Sequence, residues 1–319
     1  MFRRALERYT KAGKLMKEIV VISGKGGTGK TSIAAALACF SRGKGVFADC
    51  DVDAADLHLL LRPQVQQQNF FRSGHCAHIR SEECTGCGIC IEACRFDAVK
   101  RKSHAPEGLF YIDPVACEGC GVCVRACPSQ AISFDEEICG EWFISDSRFG
   151  PVVHAKLGIA AENSGKLVTL IRNEAKRIAQ DLHAEYVLID GSPGIGCPVI
   201  ASLTSADLAL IVTEPTVSGI HDLKRIVRLT GRLGTAAMVC INKWDINPTA
   251  SESIRDFSMS QGLQFAGVLR YDKKVTAAQR KSMTLPEFTT EGITDDLQKI
   301  WNSVLIALKR RETAPIGSC

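Results

Sequence analysis

The sequence has no long hydrophobic run: nothing in it approaches the eighteen or more uninterrupted apolar residues of a membrane span. Its N-terminus is Arg-rich and lacks the apolar core of a secretory signal. Both absences predict a cytoplasmic protein, for which membrane contact is not expected. An excess of one charge is missing too. A net +4 over 319 residues, with both signs mixed along the chain, gives no reason to expect nucleic acid as a partner. A reducing compartment also excludes disulfides as the ordinary use of cysteine. With 45% apolar and 23% charged residues, the chain can bury one large core and still carry a small module.

Cysteine is what the sequence has in surplus. Of fifteen, eight fall between Cys84 and Cys127, and metal is the expected use. Within that stretch Cys84-Thr-Gly-Cys87-Gly-Ile-Cys90-Ile-Glu-Ala-Cys94 matches Cys117-Glu-Gly-Cys120-Gly-Val-Cys123-Val-Arg-Ala-Cys127 at a constant offset of 33 residues. Two copies are too few for a solenoid, so they read as a pseudo-symmetric pair.

The rest of the chain alternates. A strand over Lys17–Ser23 leads into a Gly-rich turn, a helix from Thr31 to Phe40 and a strand at Val46–Asp49, which opens a βαβ unit. After Pro63 a Gln-rich and then Cys-rich segment runs to about Phe143. Strands are then expected at 167–171, 186–189, 208–212, 237–241 and 265–269, with helices near 173–183, 218–233 and 250–261. The pattern predicts an α/β domain with a mostly parallel sheet covered by helices on both faces. That domain spans 16–62 and 144–319, and the small α+β module is inserted at 63–143. A last helix, 297–311, carries an apolar stripe of Leu297, Ile300, Trp301, Val304, Leu305 and Leu308 that is expected to cover the sheet. Residues 1–15 have two readings, an extension ahead of a natural start at Met16 or a short basic amphipathic helix.

Gly24-Lys25-Gly26-Gly27-Thr28-Gly29-Lys30-Thr31 satisfies G-x-x-x-x-G-K-[ST] between a strand and a helix. Backbone N–H groups of such a loop, continuing into Ser32, wrap phosphates at a helix N-terminus. Lys30 neutralises β/γ-phosphate charge and the Thr31 hydroxyl ligates Mg²⁺. Leu188-Ile189-Asp190 ends an apolar strand, so Asp190 is expected to hold Mg²⁺ through water, and the Gly194 N–H to sense the γ-phosphate. Asn242-Lys243-Trp244-Asp245 fits either an adenine-contacting Asn242 or the N-K-x-D that reads guanine.

The second lysine, Lys25, makes the loop resemble the deviant Walker A of MinD/ParA P-loop ATPases, relatives of the nitrogenase iron protein. The resemblance covers nearly all of the chain outside the insertion. It implies ATP as nucleotide and a homodimer, or a heterodimer with a similar ATPase, in which Lys25 reaches the partner's phosphates. It further implies that an aspartate among Asp49, Asp51 and Asp53 orients the attacking water, with Asp51 favoured, and that the segment Thr213–Ser218 faces the partner's signature lysine.

Each cysteine run resembles the bacterial ferredoxin signature, in which three close thiolates hold three corners of a 4Fe-4S cube and the fourth Cys belongs to the other cluster. That implies one cluster on Cys84, Cys87, Cys90 and Cys127 and a second on Cys117, Cys120, Cys123 and Cys94. Arg95 stands where Pro128 follows the other run. Cys197, seven residues after Asp190, is spaced like a ligand of the cluster that bridges two subunits of the nitrogenase iron protein, although a second ligand is not evident.

Taken together, the residues resemble MinD-superfamily ATPases with an inserted two-cluster ferredoxin domain. Three functions follow from this reading: ATP-gated electron transfer to a redox or metalloprotein partner, delivery of clusters or metal, and redox-sensing positioning.

Overall fold

A computed structural model of the chain describes residues 16–102, 109–158 and 164–313, and of 311–313 the backbone only. The leader at 1–15 and Cys319 lie outside the described residues.

The chain opens as expected, with β1 (Lys17–Ser23), α1 (Lys30–Phe40), β2 (Gly45–Asp49) and the short α2 (Leu57–Leu61). Then follow β3 (Gln64–Ile79), α3 (Ile89–Ala93), β4 (Val99–Arg101), β5 (Phe110–Ile112), α4 (Val122–Ala126), β6 (Ile132–Ser147) and β7 (Gly150–Leu157). The C-terminal half comprises α5 (Ser164–Asp181), β8 (Tyr186–Pro193), α6 (Cys197–Leu203), β9 (Leu208–Thr213), α7 (Val217–Leu233), β10 (Ala237–Asn242), α8 (Pro248–Ser260), β11 (Gln264–Leu269), α9 (Lys274–Arg280), α10 (Leu285–Phe288) and α11 (Ile293–Thr313).

Contacts divide the chain into two compact units. One comprises Met1–Gln68, Trp142–Lys156 and Ser164–Cys319, and the other Asn69–Glu141 and Leu157–Asn163. The first is built on strands in the order β11-β10-β9-β1-β8-β2-β7, followed by the first-unit ends of β6 and β3. From β11 to β7 every described pairing is parallel. Burial of both faces explains the continuous Val/Ile/Leu strands. Ile19 and Val21 of β1 pack with α1 and α11 on one face, whereas Val20 and Ile22 are buried toward the other, where α6 and α7 contact β1. The stripe of α11 is seated as expected: Leu297, Ile300, Trp301, Val304 and Leu308 are all in the core, with Leu305 packed against it.

One expected strand is a helix. Residues 167–171 belong to α5, whose buried residues Leu167, Val168, Ile171, Ala175 and Ala179 recur at helical spacing. The strand beside β2 is instead β7, whose Gly150 has φ 137° and packs against the Gly45 carbonyl.

The second unit has its own core around Ala77, Cys90, Ala98, Val99, Phe110, Ile112, Cys123 and Ile132. β4 and β5 pair antiparallel there, and α3 packs on α4. The long strands β3 and β6, in which the chain passes between units, were hidden by the absence of aliphatic alternation: from Gln64 to Asn69 every residue but Val65 is polar.

Candidate functional site: a phosphate loop and two cysteine-lined cavities

The order of the sheet sets the first site. β1 lies between β9 and β8, and β8 lies between β1 and β2, so Val21 is level with Asp190 and Asp190 with Asp49. The loop after β1 therefore emerges beside the ends of the two aspartate-bearing strands. Gly29, with φ 86°, turns that loop into α1, a conformation that is left-handed and strained for residues with a Cβ. A Cβ there would also lie 2.5 Å from the Asn242 amide nitrogen. At Gly26 and Gly27, both exposed, a Cβ would meet nothing within 4 Å, so the space over the loop is open.

Lys30 points into the carboxylates. Its Nζ lies 2.7 Å from Asp190 Oδ1, 3.2 Å from Asp51 Oδ2 and 3.4 Å from Thr31 Oγ1. Burial opposes its charge, but Asp190 and Asp51 outweigh that and raise its pKa. Burial pushes the Asp51 carboxyl up, with Lys30 pulling it back. Asp49 is fully enclosed and raised furthest, by burial and then by Asp190. Its two oxygens accept from the backbone N–H groups of Asp51 and Leu57, so it fixes the turn after β2 rather than facing a ligand. Asp53 is exposed. Of the three aspartates, Asp51 is the one placed against Lys30.

Among the described residues, two buried side-chain oxygens have no partner: Asp190 Oδ2 and Thr28 Oγ1. Water of a hydrated cation would satisfy the orphan Asp190 oxygen, and the Lys30 ammonium, which touches both Asp190 and the Thr31 hydroxyl, suits phosphate oxygens.

The remaining predicted residues take less expected places. Asn242 donates to the Thr28 carbonyl at 2.8 Å and accepts from the Lys243 N–H, so it braces the loop from β10. The Ser32 hydroxyl accepts from Gln279. The Gly194 N–H donates to the Ser23 carbonyl at 2.9 Å. Lys25 folds onto its own chain, 3.0 Å from Ser218 Oγ and 3.3 Å from Thr216 Oγ1, with Glu214 at 3.7 Å. Glu214 also holds Lys243 at 2.5 Å. Sequence reasoning missed this Lys25–Glu214–Lys243 chain; Asp222, read from the sequence as a surface or packing residue, packs its Cβ against Gly24 too closely for any side chain there. Lys25 and Glu214, and likewise Gly24 and Asp222, lie nearly two hundred positions apart, which spacing cannot signal.

The eight clustered cysteines fall into two sets. Cys84, Cys87, Cys90 and Cys127 line one small cavity, and Cys94, Cys117, Cys120 and Cys123 line another. Each set takes three thiols from one run and the fourth from the other. Partial burial pushes the Cys94 thiol up, but N–H groups of Phe96, Ala98 and Val99 together hold it below the usual value. Ser129 and neighbouring N–H groups do the same for Cys127 against its own burial. Those two environments favour thiolate, the form that binds metal. Gly119, with φ 59°, lets the loop run against the His75 carbonyl with no room for a Cβ. Cys197 stands apart, exposed at the start of α6. No helix among the described residues is long and apolar enough to cross a membrane.

A glycine-rich loop between strand and helix, on a parallel sheet with an aspartate at the end of the adjacent strand, defines a P-loop NTPase. The model of the CobQ/CobB/MinD/ParA nucleotide binding domain matches residues 19–285, and the chain belongs to that family. The uncharacterized protein MJ0578 of Methanocaldococcus jannaschii is 36% identical over 242 residues, covering 74% of this chain and 80% of that one. Among solved structures, the septum site-determining protein MinD complexed with Mg-ADP from Pyrococcus horikoshii is 17% identical with a TM-score of 0.53, covering 91% of this chain and 96% of that one. The MinC:MinD cell division complex of Aquifex aeolicus is 15% identical with a TM-score of 0.56, covering 95% and 98%. At these identities the two structures show the fold.

Proposed function

We propose that the protein is an ATP-hydrolysing, nucleotide-dependent dimer that carries two 4Fe-4S clusters and couples its nucleotide state to electron transfer or to redox-dependent contact with a partner protein. The observation that carries the cluster half is the crossed partition of eight cysteines into two cavities. A pair of zinc sites would need no such exchange of a fourth ligand between runs, whereas bacterial two-cluster modules do. Bound clusters would supply one-electron chemistry. Cys84, Cys87, Cys90 and Cys127 would hold one, and Cys94, Cys117, Cys120 and Cys123 the other.

The nucleotide half rests on the family, on the open loop at Gly26 and Gly27 and on the orphan oxygen of Asp190. ATP is preferred over GTP because the double-lysine loop is that of the ATPase branch, and because a neighbour in fold holds Mg-ADP. Thr31 and Asp190 would hold Mg²⁺, which offsets phosphate charge. Arrival of phosphates gives the Lys30 ammonium a stronger partner than Asp51. Asp51, released, becomes available to orient water. The Gly194 N–H reports the γ-phosphate only by leaving the Ser23 carbonyl, so that exchange is a natural switch. Lys25 completes the second protomer's site once it leaves Ser218.

Cys87 and Cys120 are exposed, which keeps delivery of clusters to an acceptor as the second reading. Anaerobic purification separates the possibilities. Coupling predicts firmly held iron and a hydrolysis rate that differs between the oxidised and reduced states. An iron-free protein with full activity overturns it, and iron that transfers to an apo-acceptor supports delivery.

A further inference from the structure

Among the described residues, the second unit holds one group of metal-ligating side chains that neither the phosphate loop nor the two cavities use. Cys76 and His78 are two residues apart on β3 and so share a face, and Glu137 stands on β6. The Cys76 thiol, a His78 ring nitrogen and a Glu137 carboxylate oxygen all lie within 4.8 Å of one another. His78 Nε2 and Glu137 Oε1 are 3.5 Å apart. Two ligands bound tetrahedrally at about 2.0–2.1 Å are separated by about 3.4 Å, so this pair already has the spacing of metal ligands.

The burial is graded in the same sense. Cys76 is 3% exposed, whereas the side chains of His78 and Glu137 are 51% and 41% exposed. The thiol forms the floor and the two harder ligands form a rim open to solvent, which gives an ion a way in. Thiolate, imidazole and carboxylate together suit a borderline ion and not Mg²⁺ or Ca²⁺, which prefer all-oxygen sites.

We propose that Cys76, His78 and Glu137 form a mononuclear site for a borderline divalent cation of the Zn²⁺ or Fe²⁺ kind, with water completing the coordination. The site is separate from both cysteine-lined cavities. Cys76 is nevertheless within hydrogen-bonding reach of Cys117. On binding, the ion would displace the Cys76 proton to solvent and neutralise the Glu137 carboxylate, which raises the charge beside the cavity of Cys94, Cys117, Cys120 and Cys123 by one unit and favours its reduced state.

The test uses the full chain purified anaerobically, with its iron counted and loosely held metal removed by a mild chelator. Titration with Co²⁺ as probe is expected to show one more equivalent bound by the wild type than by His78→Gln or Glu137→Gln. That equivalent should carry sulfur-to-cobalt absorption, which is absent in Cys76→Ser, and it should be displaced by Zn²⁺. Iron content should be unchanged in the two rim variants. The rim substitutions lie at an exposed position, His78, and a half-buried one, Glu137, and leave every cysteine in place, so the difference reports this site even if the protein proves to hold no iron. Equal Co²⁺ binding by wild type and His78→Gln overturns the proposal. So does an equivalent that Cys76→Ser retains, which would be a surface histidine–carboxylate pair only, or a fall in iron in the rim variants, which would assign the residues to the clusters.

Discussion

Lys25 donates to the Ser218 hydroxyl of its own chain, Nζ and Oγ standing 3.0 Å apart. The proposed role of Lys25 is in trans, so this contact must be exchanged for a partner's phosphate when two protomers meet. The exchange is cheap, because partly exposed pairs of this kind contribute about 0–1 kcal/mol. Lys25→Ala is therefore expected to leave nucleotide affinity nearly unchanged and to lower the hydrolysis rate on the order of 10³-fold, the scale of a charged finger. The wild-type rate per chain should rise with protein concentration. A rate independent of both concentration and Lys25 would rule out the sandwich dimer.

Asp51 combines a cost in stability with a role in chemistry. Its pKa is raised, first by burial, despite Lys30. A carboxyl with a raised folded-state pKa contributes stability below its unfolded value and loses it as pH rises through the folded value. At neutral pH the ionised group is thus a net burden. Asp51→Asn should raise the melting temperature of the nucleotide-free protein at pH 7, have a smaller effect near pH 4, and reduce hydrolysis by on the order of 10²-fold or more. Calorimetry at two pH values together with a phosphate-release assay reads both arms.

How far the sequence could be read depended on the range of the signal. β1, α1, β8 and β9 were legible because each is a contiguous buried or amphipathic run. The loop was legible because phosphate binding needs residues close in sequence. Residues 167–171 were misread because Leu-Val-Thr-Leu-Ile looks like a strand over five residues and like a helix face only once Ala175 and Ala179 are counted. β3 was invisible since its exposed Gln-rich start carries no period-two apolar signal. The bracing of Thr28 by Asn242 and the parking of Lys25 on Ser218 depend on how β9 and β10 order themselves beside β1, which no local pattern encodes.

The crossing of ligands between cysteine runs gives a test that separates the two cavities. Cys94 follows the run of Cys84 in sequence but lines the cavity of Cys117, Cys120 and Cys123. If the proposed clusters are bound, Cys94→Ser and Cys117→Ser should damage the same one, each removing about half of the iron. Cys94→Ser combined with Cys117→Ser should remove no more than either alone, whereas Cys94→Ser combined with Cys84→Ser should remove nearly all. Iron analysis with electron paramagnetic resonance of the reduced variants distinguishes this pairing from the sequential one.

His154 lies outside the phosphate loop and is a buried titratable group of the first unit. Its ring is buried, 2.9 Å from Ser145 Oγ and stacked between Phe143 and His58 at 5.1 and 5.7 Å. Burial, and secondarily the charge of His58, lowers its pKa to about 4. The unfolded chain binds a proton near pH 6.5 that the folded chain refuses until about pH 4, so stability should fall as pH drops through that window. Replacing His154 with Gln keeps a partner for Ser145 and removes the titration. His154→Gln should therefore flatten the slope of unfolding free energy between pH 6.5 and 4 relative to wild type, even if its stability at pH 7 is lower. An unchanged slope in denaturant titrations across that range would place the acid sensitivity in other groups.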